Sequence, residues 1–113
     1  LIWTVRDRHA FARLASTRTR RRGETLWCNY VSDHTTVPPR VAFAIGRAVG
    51  PAVVRNRLRR RLRAILRAAP VPPGWLLIGA QPPAATRTFA ELDHELRELL
   101  ATLPVAPAQE PIE

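Results

Sequence analysis

From Leu26 to Val31 large and small positions alternate in strand fashion, with Leu26, Cys28 and Tyr30 on one side and Trp27, Asn29 and Val31 on the other. The alternation returns in residues 40–46, where Val41, Phe43 and Ile45 form a large face and Ala42, Ala44 and Gly46 a small one. A turn-like stretch ending in Pro38-Pro39 separates the two runs, so an antiparallel hairpin is the simplest expectation. The period then changes. Val54, Leu58, Leu62, Ile65, Leu66 and Ala69 recur at the spacing of one helical face, opened by Gly50-Pro51 and stopped by Pro70. At about 100° per residue, Arg59, Arg60, Arg63 and Arg67 fall opposite that face with Asn56 among them, while Arg57 and Arg61 run along one edge.

The continuous apolar run 75–80, entered through Pro72-Pro73-Gly74, predicts a buried strand. Thr88 and Glu91 have the spacing of a capping box, and Phe89, Leu92, Leu96, Leu99, Leu100 and Leu103 then recur at helical spacing up to Pro104. Near the start, Asp7 can cap a short helix to about Ala15 that places Ala10, Phe11 and Leu14 together. The segment 18–23, with four arginines and no apolar period, reads as a basic loop. The expected fold class is α+β, a small sheet of three to four strands packed with three helices in the order α-β-β-(β)-α-β-α. Residues 1–103 make one domain, and the Pro-rich acidic stretch 104–113 is expected to be disordered.

Charge decides the class of partner. All 18 basic residues are Arg, against 9 acidic ones, for a net charge of +9. Residues 1–89 hold 17 Arg and 3 acids (+14), whereas 90–113 hold 1 Arg and 6 acids (−5), so a polyanion meets the first three-quarters of the chain. The densest cluster is 55–63, seven of whose nine residues are Arg or Asn, and no Glu occurs between Glu24 and Glu91 to pair with them at i, i+4 spacing. Several cations on one rigid face release counterions from several phosphates without reading any base. DNA readout, a ribosomal or other structural RNA-binding role, and a membrane-surface helix are the rival readings. Arg with one Asn favours phosphate contact over base readout, and the remaining elements supply a core for the helix's apolar face.

Catalytic chemistry is absent from the pattern. His9, His34 and His94 have no metal-ligand spacing and no nucleophile partner. Cys28 is the only cysteine, which excludes a disulfide within the chain. No apolar run reaches the ~18–20 residues of a membrane span, and residues 1–11 have neither a basic n-region nor a long apolar h-region, so a cytoplasmic location is expected.

Residues 40–66, RVAFAIGRAVGPAVVRNRLRRRLRAIL, resemble the signature region of the bacterial ribonuclease P protein family. The resemblance is carried by Arg40, Val41, Arg47, Gly50, Ala52, Val53, Arg55, Asn56, Arg57, Arg59, Arg60 and Arg63. It implies a protein subunit that binds a catalytic RNA and the 5′ leader of precursor tRNA and assists removal of that leader, with no catalytic residue of its own. It assigns Arg47, Arg55, Asn56, Arg57, Arg59, Arg60 and Arg63 to RNA binding, and Phe11, Trp27, Ala42 and Ala44 to a leader cleft. It further implies a left-handed β-α-β crossover around the arginine helix, and magnesium held mainly by RNA, with none held by the protein alone. The implied partners are the catalytic RNA and precursor tRNA, with no membrane and no obligate protein partner. Three positions depart from the family pattern: Ala15 and Asn29, where aromatic residues are common, and Ala80-Gln81, where basic residues often follow the last strand.

Overall fold

The computed structural model describes residues 2–4, 9, 12–14 and 19–104. Five strands form one mixed sheet: β1 (Trp3–Thr4), β2 (Arg20–Arg22), β3 (Leu26–Ser32), β4 (Arg40–Ala44) and β5 (Gly74–Ala80), in the spatial order β1-β4-β5-β3-β2. Helix α1 (Ala52–Ala68) links β4 to β5, and α2 (Phe89–Ala101) follows β5 after a short 3-10 turn. His9 and residues 12–14 are helical, as the sequence predicts, but the expected Asp7 cap and Ala10, Phe11 and Ala15 lie outside the described residues. Residues 105–113 lie outside them as well.

The expected hairpin does not form. β3 and β4 are not neighbours, because β5 enters between them, antiparallel to β3 and parallel to β4. The composition of β5 explains this choice. Leu76, Leu77 and Ile78 are all buried, so this strand needs apolar cover on both faces, which only a central position provides. A parallel β4–β5 pair in turn requires a crossover connection, which α1 supplies.

The strand parity read from sequence separates two cores. Leu26, Cys28, Tyr30, Val41, Ile45, Leu76 and Ile78 pack with Leu58, Leu62, Ile65 and Leu66 of α1 and with Leu92, Leu96, Leu99 and Leu100 of α2. The opposite sheet face carries a smaller cluster, in which Leu14, Ala42 and Leu77 are joined by Trp27, Val31, Ala44 and Trp75. The sheet is thus a middle layer between α1 and α2 on one side and the helical residues near the N-terminus on the other. Truncating Leu62 or Leu66, each 0% exposed, to Ala would cost about 2–5 kcal/mol.

The capping box at Thr88 is present in full, since its hydroxyl accepts from Glu91 N at 3.1 Å and Glu91 Oε1 accepts from Thr88 N at 2.8 Å. Residues 20–22, expected as part of a basic loop, are instead the edge strand β2, paired antiparallel with β3. Its outer side chains Arg20 and Arg22 are exposed and its inner one is Arg21, so this purely cationic strand leaves no periodic apolar signal.

Candidate nucleic-acid interface

Helix α1 forms because its apolar stripe docks on the sheet, and its polar side is left to solvent. Asn56, Arg57, Arg60 and Arg67 are exposed there, and Arg47 is exposed on the 3-10 turn that precedes the helix. The other candidate cations are partly buried. Arg55 Nε donates to the Gly50 carbonyl at 3.1 Å, which ties the helix start to the preceding turn. Arg59 donates to Asn56 Oδ1 at 2.9 Å. Arg63, expected opposite the apolar stripe, lies on its flank with its guanidinium 5.4 Å from the Phe43 ring centroid. The deep burial of Leu62 and Leu66 turns that flank toward the sheet. Arg61 is likewise half-buried, with Nη1 3.4 Å from the Arg87 carbonyl.

The second basic surface lies on the other side of the sheet. Strand register places Arg22, Trp27, Gly79 and Ala44 in one transverse row and Arg20, Asn29, Leu77 and Ala42 in the next. Trp27, Ala42 and Ala44 therefore share a face, whereas Phe11 lies outside the described residues. Arg20, Arg21, Arg22, Trp27 and Asn29 line an open hollow of about 360 Å³ at the β2 end of the sheet. Asn29, a departure from the family pattern, is buried and donates from Nδ2 to the Leu14 carbonyl at 3.0 Å. It anchors the N-terminal helical residues over the sheet instead of offering an aromatic surface.

Arg20 and Arg22 were not among the residues singled out from sequence. The signal was their spacing of two, which sends both to the Trp27 face once 20–22 is recognised as a strand. Gln81 also acquires a role. Its amide oxygen, in the orientation that satisfies both partners, accepts from Arg22 Nε at 3.1 Å and Nη2 at 2.7 Å. The guanidinium of Arg22 is thereby held at the end of β5, where the family pattern would place a basic residue.

Cys28 is buried, and burial pushes its thiol up to about 11. Among the described residues no three His, Cys, Asp or Glu side chains are grouped to hold a metal, and no described helix is long and apolar enough to cross a membrane.

A layered α+β fold with a cationic crossover helix and a basic, aromatic-lined hollow on the opposite sheet face defines a protein built to bind polyanionic chains. The sequence model of the Ribonuclease P family matches residues 3–104, and the chain belongs to that family. Solved structures with the same fold include the RNase P protein of Staphylococcus aureus, with a TM-score of 0.78 and 16% identity over 89% of this chain and 96% of that one. The RNase P protein from Thermotoga maritima gives a TM-score of 0.79 and 19% identity over 89% of this chain and 97% of that one. No individual curated protein sequence gives a significant match.

Proposed function

We propose that this chain is the protein subunit of a bacterial ribonuclease P, acting in the cytoplasm to help a catalytic RNA remove the 5′ leader from precursor tRNA. The observation that carries this reading is α1: a helix free of acids, with Asn56, Arg57, Arg60 and Arg67 exposed, on a fold of this family. That surface takes the phosphates of the catalytic RNA, with Arg47 extending it and Arg55, Arg59 and Arg63 shaping it from the flank. The hollow on the opposite face takes the single-stranded leader. Arg20 and Arg22 meet its phosphates, the Trp27 ring offers a stacking surface, and the small half-buried Ala44 beside it leaves room for the chain, while Ala42 is buried with Leu14 and Leu77 and supports the floor from within. Two RNA-binding faces on opposite sides of one sheet allow the protein to touch both RNAs at once.

Cleavage belongs to the RNA subunit. The magnesium it uses is held chiefly by RNA phosphates, since the guanidinium groups of the protein surface bind phosphate and repel a cation. The test is reconstitution with the catalytic RNA of a bacterial ribonuclease P. The complex should release the leader and leave mature tRNA with a 5′ phosphate, and protein alone should leave precursor tRNA intact. Sustained cleavage by RNA-free protein, lost on changing one of its own side chains, would overturn this reading.

A further inference from the structure

We propose that Glu95 of α2 is a positioning residue for the leader cleft, fixing the register of β2 so that Arg20 and Arg22 face Trp27. The inference rests on the cleft reading above. β2 is three residues long, lies at the sheet edge, and consists of Arg20, Arg21 and Arg22. It carries no apolar residue, so the buried pattern that normally fixes strand register is missing. A slip by one residue would turn Arg21 toward the cleft and send Arg20 and Arg22 toward α2. Something outside the strand must choose between these states.

Glu95 is placed to do so. Its side chain is buried, at 8% exposure, and its oxygens accept three hydrogen bonds, two from Thr25 at the end of the β2–β3 turn and one from Leu26, the first residue of β3. Oε2 accepts from Thr25 N and from Leu26 N, each at 2.7 Å, and Oε1 accepts from the Thr25 hydroxyl at 2.7 Å. Gly23 is part of the same contact, because a Cβ there would fall 2.5 Å from Glu95 Oε2. The Arg87 guanidinium, 3.7 Å from Oε1, offsets the buried charge.

A second tie comes from the same helix. Arg21 Nε donates to the Thr102 carbonyl at 3.2 Å, at the C-terminal end of α2, where carbonyls lack helical partners. With Arg21 turned toward α2, strand alternation sends Arg20 and Arg22 to the other face. The most acidic element of the protein thus shapes an RNA surface that it does not itself line. Apolar packing at position 95 would serve stability as well, and a buried carboxylate with three donors is better suited to selecting one register.

The test compares wild type, Glu95→Gln, Arg20→Ala/Arg22→Ala and the triple variant, each reconstituted with the catalytic RNA. Affinity is measured for precursor tRNA carrying a leader and for mature tRNA, together with backbone amide exchange in the free protein. Glu95→Gln, which replaces the charged acceptor shared by Thr25 N and Leu26 N with a weaker neutral amide oxygen and sets an NH2 against the Thr25 hydroxyl, should speed exchange around the β2–β3 turn while leaving β4–β5 protected. It should also reduce the preference for precursor over mature tRNA by about threefold or more, without further loss when added to the Arg20/Arg22 variant. A Glu95→Gln variant that melts earlier but keeps the full preference would make Glu95 merely structural, and additive effects would do the same. Full preference in the Arg20/Arg22 variant would instead remove the cleft reading on which the inference stands. Should Glu95→Gln fail to fold, Thr25→Ala, which deletes one of the three hydrogen bonds, carries the same comparison.

Discussion

The indole of Trp27 lies across Gly79 of the neighbouring strand, so close that a Cβ at position 79 would overlap Cε2 and Cζ2 of the ring. The missing side chain lets the ring lie down on the sheet instead of standing away from it. Ala44, the next residue in the same row, continues the low floor beside the ring.

Replacing Gly79 by Ala should therefore lift Trp27 and cost about 1–3 kcal/mol of stability, as overpacking does. The same change in a Trp27→Ala background should cost much less. Chemical denaturation of the four proteins in this cycle checks the coupling, and equal costs in both backgrounds would dissociate Gly79 from the ring.

Trp27→Ala should leave a folded protein, because the large core between the sheet and α1 and α2 does not include it. The reconstituted enzyme should lose affinity for leader-bearing precursor by an amount equivalent to about 1–3 kcal/mol of base stacking, and keep its affinity for mature tRNA. Equal loss for both RNAs, or collapse of the melting transition without a selective defect, would return Trp27 to a packing role.

Arg57→Ala/Arg60→Ala should weaken binding to the catalytic RNA and flatten its dependence on salt. Each lost phosphate contact lowers the log-log slope by about 0.9 or less. Both side chains are exposed on α1, so thermal stability should barely move. Affinities measured over a series of salt concentrations decide the matter, and an unchanged slope counts against this surface.

Thr88→Ala removes the N-cap of α2 and should cost about 1 kcal/mol at neutral pH. Hydrogen bonds from the Thr88 backbone N–H, and then its side chain, hold the Glu91 carboxyl below its ordinary range. A carboxyl lowered in the folded state adds stability above its unfolded value of about 4.3, and that contribution is lost as pH falls through the folded value. The difference between wild type and Thr88→Ala should accordingly narrow in acid, measured as melting temperature from pH 7 downward.

Much of this architecture follows from local pattern. The period of two in residues 26–31 assigned Leu26, Cys28 and Tyr30 to one face and Trp27, Asn29 and Val31 to the other, and the two cores divide along that line. The period near 3.6 after Pro51 placed Leu58, Leu62, Ile65 and Leu66 against the sheet and left Arg57 and Arg60 outside. Thr88 and Glu91 marked the start of α2 because a cap is a contact between residues three apart. Each of these features is local, so the chain carries its full description within a few residues.

Tertiary structure alone decided which strands are neighbours and what the edge strand does. Pairing β5 between β3 and β4 joins segments distant in sequence, and the gain that selects it is burial on both faces of Leu76, Leu77 and Ile78, which no local window contains. β2 is legible only through its partners: Cys28 opposite Arg21, Glu95 in its turn, and Thr102 and Gln81 on its side chains. A run of arginines has the same composition whether it is a solvated loop or a strand. The distinction lies in hydrogen bonds made across the sheet and from α2, and those exist only once the chain has folded.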